Sequence, residues 1–362
     1  MGSPGRKPSS NKPVKHHHVN QVYLQRFCPT GAYYQYMARK GADGMVTHQW
    51  AGGNPKTTGY EKHLYDSPAD TPDRCHVEGE LKKIEDAGMN GIDRILQSKS
   101  KPSAFFDYKS EPGIATYIAA MAMRSPNAMQ GKAKLDPLVK AGVVKGEHPD
   151  NPGAEGVLND LEAVRQYLQV IKWHLYRFDG QDGIVLVTSD RPVGIYALAE
   201  RHPQTGGTLQ PSPVEAGLPD NWAKQAIFTF PLSPTCAAIG FKGTRCELEH
   251  ELNRQVEIEC DARLPAWVNS MTAWQARLIY TSDKGAQLLL PNPPEGPPER
   301  EYVPRPGSGI LVPQPRNRLG SIEEFVVAAD QWLRAHSVRV DPNNPAEFMA
   351  NVQALRKRGV NI

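Results

Sequence analysis

A change of hydrophobic period part-way along the chain constrains its fold more than any other feature. In three stretches between residues 77 and 175 apolar side chains recur every three or four positions, the spacing of one face of an α-helix. The first expected helix, about Val77 to Gln97, carries Leu81, Ile84, Ile92, Ile95 and Leu96, with Gly88 and Gly91 as points that weaken or divide it. The second, about Gly113 to Arg124, sets Ile114, Tyr117, Ile118 and Met121 on one stripe. It stops where Ser125 precedes Pro126, because the residue before a proline is driven out of the helical region. The third has the cleanest period: Leu158, Leu161, Val164, Leu168, Ile171 and Leu175. Beyond it the period disappears. Ile184-Val185-Leu186-Val187, bounded by Gly183 and by Ser189-Asp190-Arg191-Pro192, reads as a buried strand. Val193 to Ala197, Ala226 to Phe230 and Ala237 to Phe241 read as further short strands. The expected class is α+β, predominantly helical, with a small and mainly antiparallel sheet built from roughly residues 184–241.

The flanks read differently. Residues 22–62 hold Tyr33, Tyr34, Tyr36, Trp50, Gly52 and Gly53 without a helical period, which predicts short strands and loops. Another helix is expected from about Pro265 to Leu278. Nine prolines fall within the 25 residues 291–315, too many for a regular element. Ser321 and Glu324 form a capping box before Phe325, Ala328, Ala329, Trp332 and Leu333. Asn344, Pro345 and Glu347 start a last helix that Gly359 ends. The expected organisation is a flexible basic arm (1–15), a main α+β domain (16–285), a Pro-rich extended segment (286–320) and C-terminal helices packed on the main domain (321–362).

Composition narrows the function classes. With 39% hydrophobic and 8% aromatic residues in 362, the chain can build a real core. No apolar run approaches the ~18 residues of a membrane helix, and Met1 to Lys15 is polar with no apolar signal core behind it. Five cysteines (Cys28, Cys75, Cys236, Cys246, Cys260) without CxxC spacing argue against a disulfide framework and for a reduced, cytoplasmic compartment. Lys and Arg number 42 against 39 Asp and Glu, but the first 40 residues hold seven of the basic and none of the acidic ones. Lys7, Lys12, Lys15 and Arg26 are therefore expected to follow a nucleic-acid backbone, the alternative being a solvated tail.

Several short elements recur in a recognisable order. His16-His17-His18-Val19-Asn20-Gln21-Val22-Tyr23-Leu24-Gln25-Arg26-Phe27 resembles the opening signature of the family called domain of unknown function 4238: a histidine, three residues containing proline, then Gln and a Tyr-Leu-x-x-Phe ending. Glu78 to Glu85, Arg124-Ser125-Pro126, Val187 to Val193, Pro231-Leu232-Ser233-Pro234 and Asn269 to Tyr280 follow in the same order, so the resemblance spans residues 16–280. Asn20 stands where the family usually has proline, which is expected to loosen the backbone there, and Arg191 where it often has asparagine. The resemblance implies bacterial or phage provenance and a role in defence or toxicity, and it singles out His17. It supplies no reaction.

The chemistry must come from the residues. Glu78 and Glu85 border the apolar arc of their helix, and an unpaired buried charge is costly; Glu78 paired with Lys82 one turn on is the plain alternative. Arg124 extends the apolar stripe of the second helix, where it either complements the helix dipole or seeks a carboxylate, Glu85 being the best candidate. Asp190 follows a buried strand, as a site residue or as the turn-forming residue of its corner. His17, Glu78, Glu85, Arg124 and Asp190 together make a constellation suited to phosphodiester hydrolysis. In it Glu85 and Asp190 hold a divalent cation, Mg²⁺ or Mn²⁺, His17 acts as base and Arg124 stabilises the pentacovalent charge. The expected function is a nuclease-like enzyme of a prokaryotic defence or toxin system. The alternative is a non-catalytic nucleic-acid-binding or sensor module whose polar residues form a buried ionic network. Protein partners are not legible.

Overall fold

The computed structural model describes residues 15–40, 46–62, 76–97, 112–124, 154–169, 171–178, 185–197, 212–213, 226–242, 263–274, 276–291 and 315–336. In chain order the elements are β1 (Lys15–His17), α1 (Gln21–Arg26), β2 (Tyr33–Lys40), β3 (Val46–Gly53), β4 (Tyr60–Lys62), α2 (His76–Gln97) and α3 (Pro112–Met123). They continue with α4 (Ala154–Gln169), β5 (Lys172–Arg177), β6 (Thr188–Ser189), β7 (Gly194–Ala197), β8 (Ser212–Pro213), β9 (Ala226–Ser233) and β10 (Cys236–Lys242). The last are α5 (Arg263–Trp274), β11 (Leu278–Thr281), β12 (Leu288–Pro291), β13 (Pro315–Gly320) and α6 (Ile322–His336).

The class is α+β, as the period change requires. The antiparallel sheet expected from residues 184–241 is present in the order β5-β10-β9-β7-β8, with β5 added at one edge. A second sheet, β3-β2-β11-β6, joins the N-terminal aromatic hairpin to the strand after α5. Two-stranded pairs β1-β4 and β12-β13 complete the set. None of the described helices is long and apolar enough to cross a membrane.

Three expectations need correction. The third helical period overruns its helix: α4 ends at Gln169, and Ile171 and Leu175 lie beyond it, Leu175 in β5. Trp173 and Leu175, two residues apart, are both 2% exposed, the alternation of a strand. The helix expected to reach Leu278 stops at Trp274, and Leu278 opens β11. The described part of the apolar run, residues 185–187, is not itself a strand. Leu186 and Val187 are buried, but Val187 donates its N–H to the Asn269 side chain at 2.8 Å and Leu186 donates to the Pro234 carbonyl; the ladder begins at Thr188.

Asn20 also corrects an expectation. It does not loosen the chain: it is buried, and its Oδ1 accepts the Tyr23 N–H at 2.9 Å as the N-cap of α1. Gly88 and Gly91 do not divide α2. A β-carbon at Gly88 would stand 2.2 Å from the β-carbon of Tyr117, so the glycine is what lets α2 and α3 approach this closely. The capping box forms reciprocally, the Ser321 N–H donating to Glu324 at 2.9 Å and the Glu324 N–H to Ser321 Oγ at 3.2 Å. The arm before Lys15, the interior of the Pro-rich segment and the Asn344 helix lie outside the described residues.

Candidate functional site

Two glycine contacts set the geometry. At the first, Gly59 adopts φ 70° and its carbonyl accepts the N–H groups of His18 (2.9 Å) and Val19 (3.1 Å), holding the histidine run against β4. His16 and His18 are buried and His17 is half-buried, its ring 5.7 Å edge-on from Tyr60. The second contact, Gly88 on Tyr117, brings α2 alongside α3 and with it Glu85 to Arg124.

Arg124 continues α3 by one residue, its N–H donating to the Ala120 carbonyl at 3.1 Å. Its side chain is 1% exposed. The guanidinium is met by the Glu85 carboxylate, which is 19% exposed, and donates to Met121 Sδ at 2.9 Å. Tyr117, Met121 and Arg124 thus share one stripe, and Glu85 is the carboxylate the buried cation needed. Lys82 does not pair with Glu78; it turns to Asp86 at 3.3 Å. Among the described residues Glu78 has no ion-pair partner, and burial together with the nearby Glu85 charge pushes its carboxyl up to about 7 against the pull of Arg124 and Lys82. Burial, then the charges of Arg124 and His17, push the His18 imidazole down to about 3, so it is neutral at ordinary pH. Burial raises the Tyr117 hydroxyl, with Arg124 opposing. His17, His18, Glu78, Glu85, Arg124 and Tyr117 therefore act on one another as one electrostatic group.

Asp190 keeps different company. Its carboxylate accepts the N–H groups of Arg277 (3.0 Å) and Leu278 (3.2 Å), and its own N–H donates to the Leu278 carbonyl (3.1 Å). Burial raises its carboxyl, while the Leu278 N–H, the Arg191 charge and the Arg277 N–H oppose that rise. Its carboxylate thus bonds the backbone at the start of β11, not that of its own Ser-Asp-Arg-Pro corner, and pins the end of β6 to β11. Glu85 and Asp190 thus each have bonding partners other than one another, and among the described residues no group of three or more His, Cys, Asp or Glu is placed to hold a metal ion. Of the expected nucleic-acid contacts, Arg26 bonds Asp93 at 2.7 Å and Lys15 stands opposite Lys62 in the β1-β4 pair. Lys7 and Lys12 lie outside the described residues.

Sequence reasoning missed His18 and Tyr117 as members of this group. His18 lies one residue past the three-residue β1, and no local period in the sequence separates it from His17. Tyr117 hid among apolar neighbours on the stripe.

No curated protein and no solved structure matches this chain. The family pattern described as protein of unknown function (DUF4238) matches residues 15–285, from the first residue of β1 past the end of β11. The match takes in every element that builds the site, and the chain belongs to the DUF4238 family.

Proposed function

We propose that this protein is a nuclease-like phosphodiester hydrolase whose acid–base machinery is Glu78 and His17. The observation that carries the reading is Glu78. It is a half-buried carboxylate with no ion-pair partner among the described residues, held near 7 beside the Arg124–Glu85 pair. A carboxylate in that range is matched to proton transfer at neutral pH. In the proposed reaction Glu78 removes a proton from the attacking water as its oxygen bonds to phosphorus. His17 delivers a proton to the leaving oxygen as the phosphorus–oxygen bond breaks. Arg124, oriented by Glu85, stabilises the charge that develops on the phosphoryl oxygens. Glu85 acts through Arg124 and is a positioning residue.

The setting we propose is cytoplasmic, in prokaryotic defence or toxicity, with the basic N-terminal arm recruiting nucleic acid. The lack of CxxC spacing among the five cysteines supports the reduced compartment. A divalent cation belongs to the proposal as an added component, and none of the steps above passes through it. A second reading is favoured by one observation: Arg124 is almost wholly buried and already paired. On that reading the group is a structural network inside a nucleic-acid-binding or sensor module.

The test is hydrolysis of mixed DNA and RNA by the wild type and by Glu78→Gln, with and without Mg²⁺ or Mn²⁺. The hydrolase reading requires cleavage by the wild type and a loss of about a hundred-fold or more in a folded Glu78→Gln. Binding of nucleic acid without cleavage in any of these conditions selects the module.

A further inference from the structure

The aromatic hairpin β2–β3 takes no part in the site described above. Its register sets Tyr36 opposite Trp50 and Tyr34 opposite Gly52, so these four residues share one face of the sheet, while Tyr33 and Gln35 are buried on the other. Along that face the surface opens. Tyr36 is 6% exposed and packs on Trp50, with 4.9 Å between ring centres, whereas Tyr34 is 42% exposed. The Tyr34 and Trp50 rings meet edge to face, 6.3 Å apart at 82°. Across the ladder from Tyr34 there is room: Gly52 is exposed, and a β-carbon built on it meets nothing within 4 Å among the described residues.

The two rings share a cation. The Lys284 ammonium, on the turn after β11, lies 4.7 Å from the centre of the Tyr34 ring and 5.7 Å from that of Trp50. It has no carboxylate partner among the described residues, because Glu323 accepts the Trp50 Nε1–H and Asp283 accepts the Gly285 N–H at 2.8 Å. A cation–π contact at an exposed site is weak, and the flexible four-carbon stem leaves the ammonium free to move. Exposed π faces, open surface beside them and an unpaired cation within reach of both match the alternation of base and phosphate along a single strand.

We infer that Tyr34, Gly52 and Trp50 form a stacking surface for an unpaired base of single-stranded nucleic acid, with Lys284 swinging from the rings to the adjoining phosphate. The partner class comes from the proposed function, but the surface serves the hydrolase and the binding module alike. Tyr33, on the opposite face of β2, packs its ring on Tyr280 at 5.1 Å, and both belong to the core that α2 and α3 share. The stacked base therefore faces away from that core, where it anchors the strand and takes no part in the chemistry.

Fluorescence anisotropy with a labelled oligothymidylate and an abasic strand of the same length separates stacking from charge, because both probes carry the same phosphates. The surface predicts that the full chain binds the base-bearing strand about ten-fold more tightly than the abasic one, as base–aromatic stacking implies. Tyr34→Leu and Gly52→Val lose that preference, with unfolding temperatures close to the wild type's, because the ring is exposed and the added methyl groups enter open space. Tyr34→Phe keeps it. Lys284→Gln lowers the slope of log affinity against log salt by about 0.7; an unchanged slope removes Lys284 from the surface. A wild type that binds the two strands equally or binds neither, or a preference that survives in Tyr34→Leu or Gly52→Val, overturns the inference. So does binding of a trimethyllysine peptide through Tyr34 in place of the oligonucleotide, which assigns the rings to an organic cation. Cleavage without the base preference keeps the hydrolase and removes the surface, and the preference without cleavage does the reverse.

Discussion

Glu85→Gln keeps the shape of the side chain and removes its charge, leaving the Arg124 guanidinium at 1% exposure opposite a neutral amide. Breaking a buried pair from one side costs ~3–5 kcal/mol. Glu85 itself is 19% exposed, so water softens the loss, and the amide oxygen still accepts one N–H; ~2–3 kcal/mol is the expected destabilisation. That lowers Tm by roughly 3–4 °C for a chain of this size. The asymmetry of exposure gives a sharper expectation. Arg124→Met leaves behind a carboxylate that water already reaches, so it costs less than Glu85→Gln, and the double variant is no less stable than Glu85→Gln alone. Urea unfolding of the four proteins measures the cycle, and activity per folded molecule is read in parallel. A cost below ~0.5 kcal/mol for Glu85→Gln, with the two substitutions simply adding, would refute the buried-pair account.

Other consequences follow from the same group. Glu78 holds its proton to about 7 in the folded chain against 4.5 unfolded, so folding binds a proton between these values and stability falls as pH rises through 7. Glu78→Gln removes that fall; its size is ~3 kcal/mol unscreened and about 1 kcal/mol once the partial exposure of the carboxylate is allowed for. His18 runs the other way. Its imidazole titrates near 3 folded against 6.5 unfolded, so its contribution is present above 6.5 and is lost as pH falls toward 3, up to about 5 kcal/mol. His18→Gln should flatten the acid limb of a pH series of unfolding curves; an unchanged limb counts against a buried neutral His18. Gly88→Ala drives a methyl group into Tyr117 and should cost about 3 kcal/mol in thermal unfolding, whereas a loss under ~1 kcal/mol contradicts the close α2–α3 approach.

The parts of the fold legible in the sequence are those fixed by local chemistry. The α2 and α3 stripes, the Ser321–Glu324 box and the demand of Arg124 for a carboxylate all follow from residues a few turns apart or from a charge that burial forbids to stand alone. What escaped was decided by distant contacts. The α4 period ran on into β5 because Ile171 and Leu175 fit helical spacing by coincidence, and pairing with β10 settled the matter. The run before Thr188 is held by the Asn269 side chain, which binds Val187 N–H, the Val185 carbonyl and the Gln287 carbonyl, and no local pattern announces a side chain substituting for a ladder. Asp190 was drawn into the constellation by its position after an apolar run, although its partners are the backbone N–H groups of a strand almost ninety residues away. Tyr117 and His18 carry polar atoms that matter only once α1, α2 and β1 surround them.

The most direct test of the central claim is the pH dependence of kcat/KM for cleavage of a single-stranded oligonucleotide, measured across pH 5–9 at saturating and at zero added Mg²⁺. If Glu78 is the base, the rate rises with its ionisation along one limb centred near 7. A limb centred near 4.5, the ordinary value of a glutamate, or a rate that does not change between pH 5 and 9, contradicts the assignment of Glu78 and with it the proposed reaction.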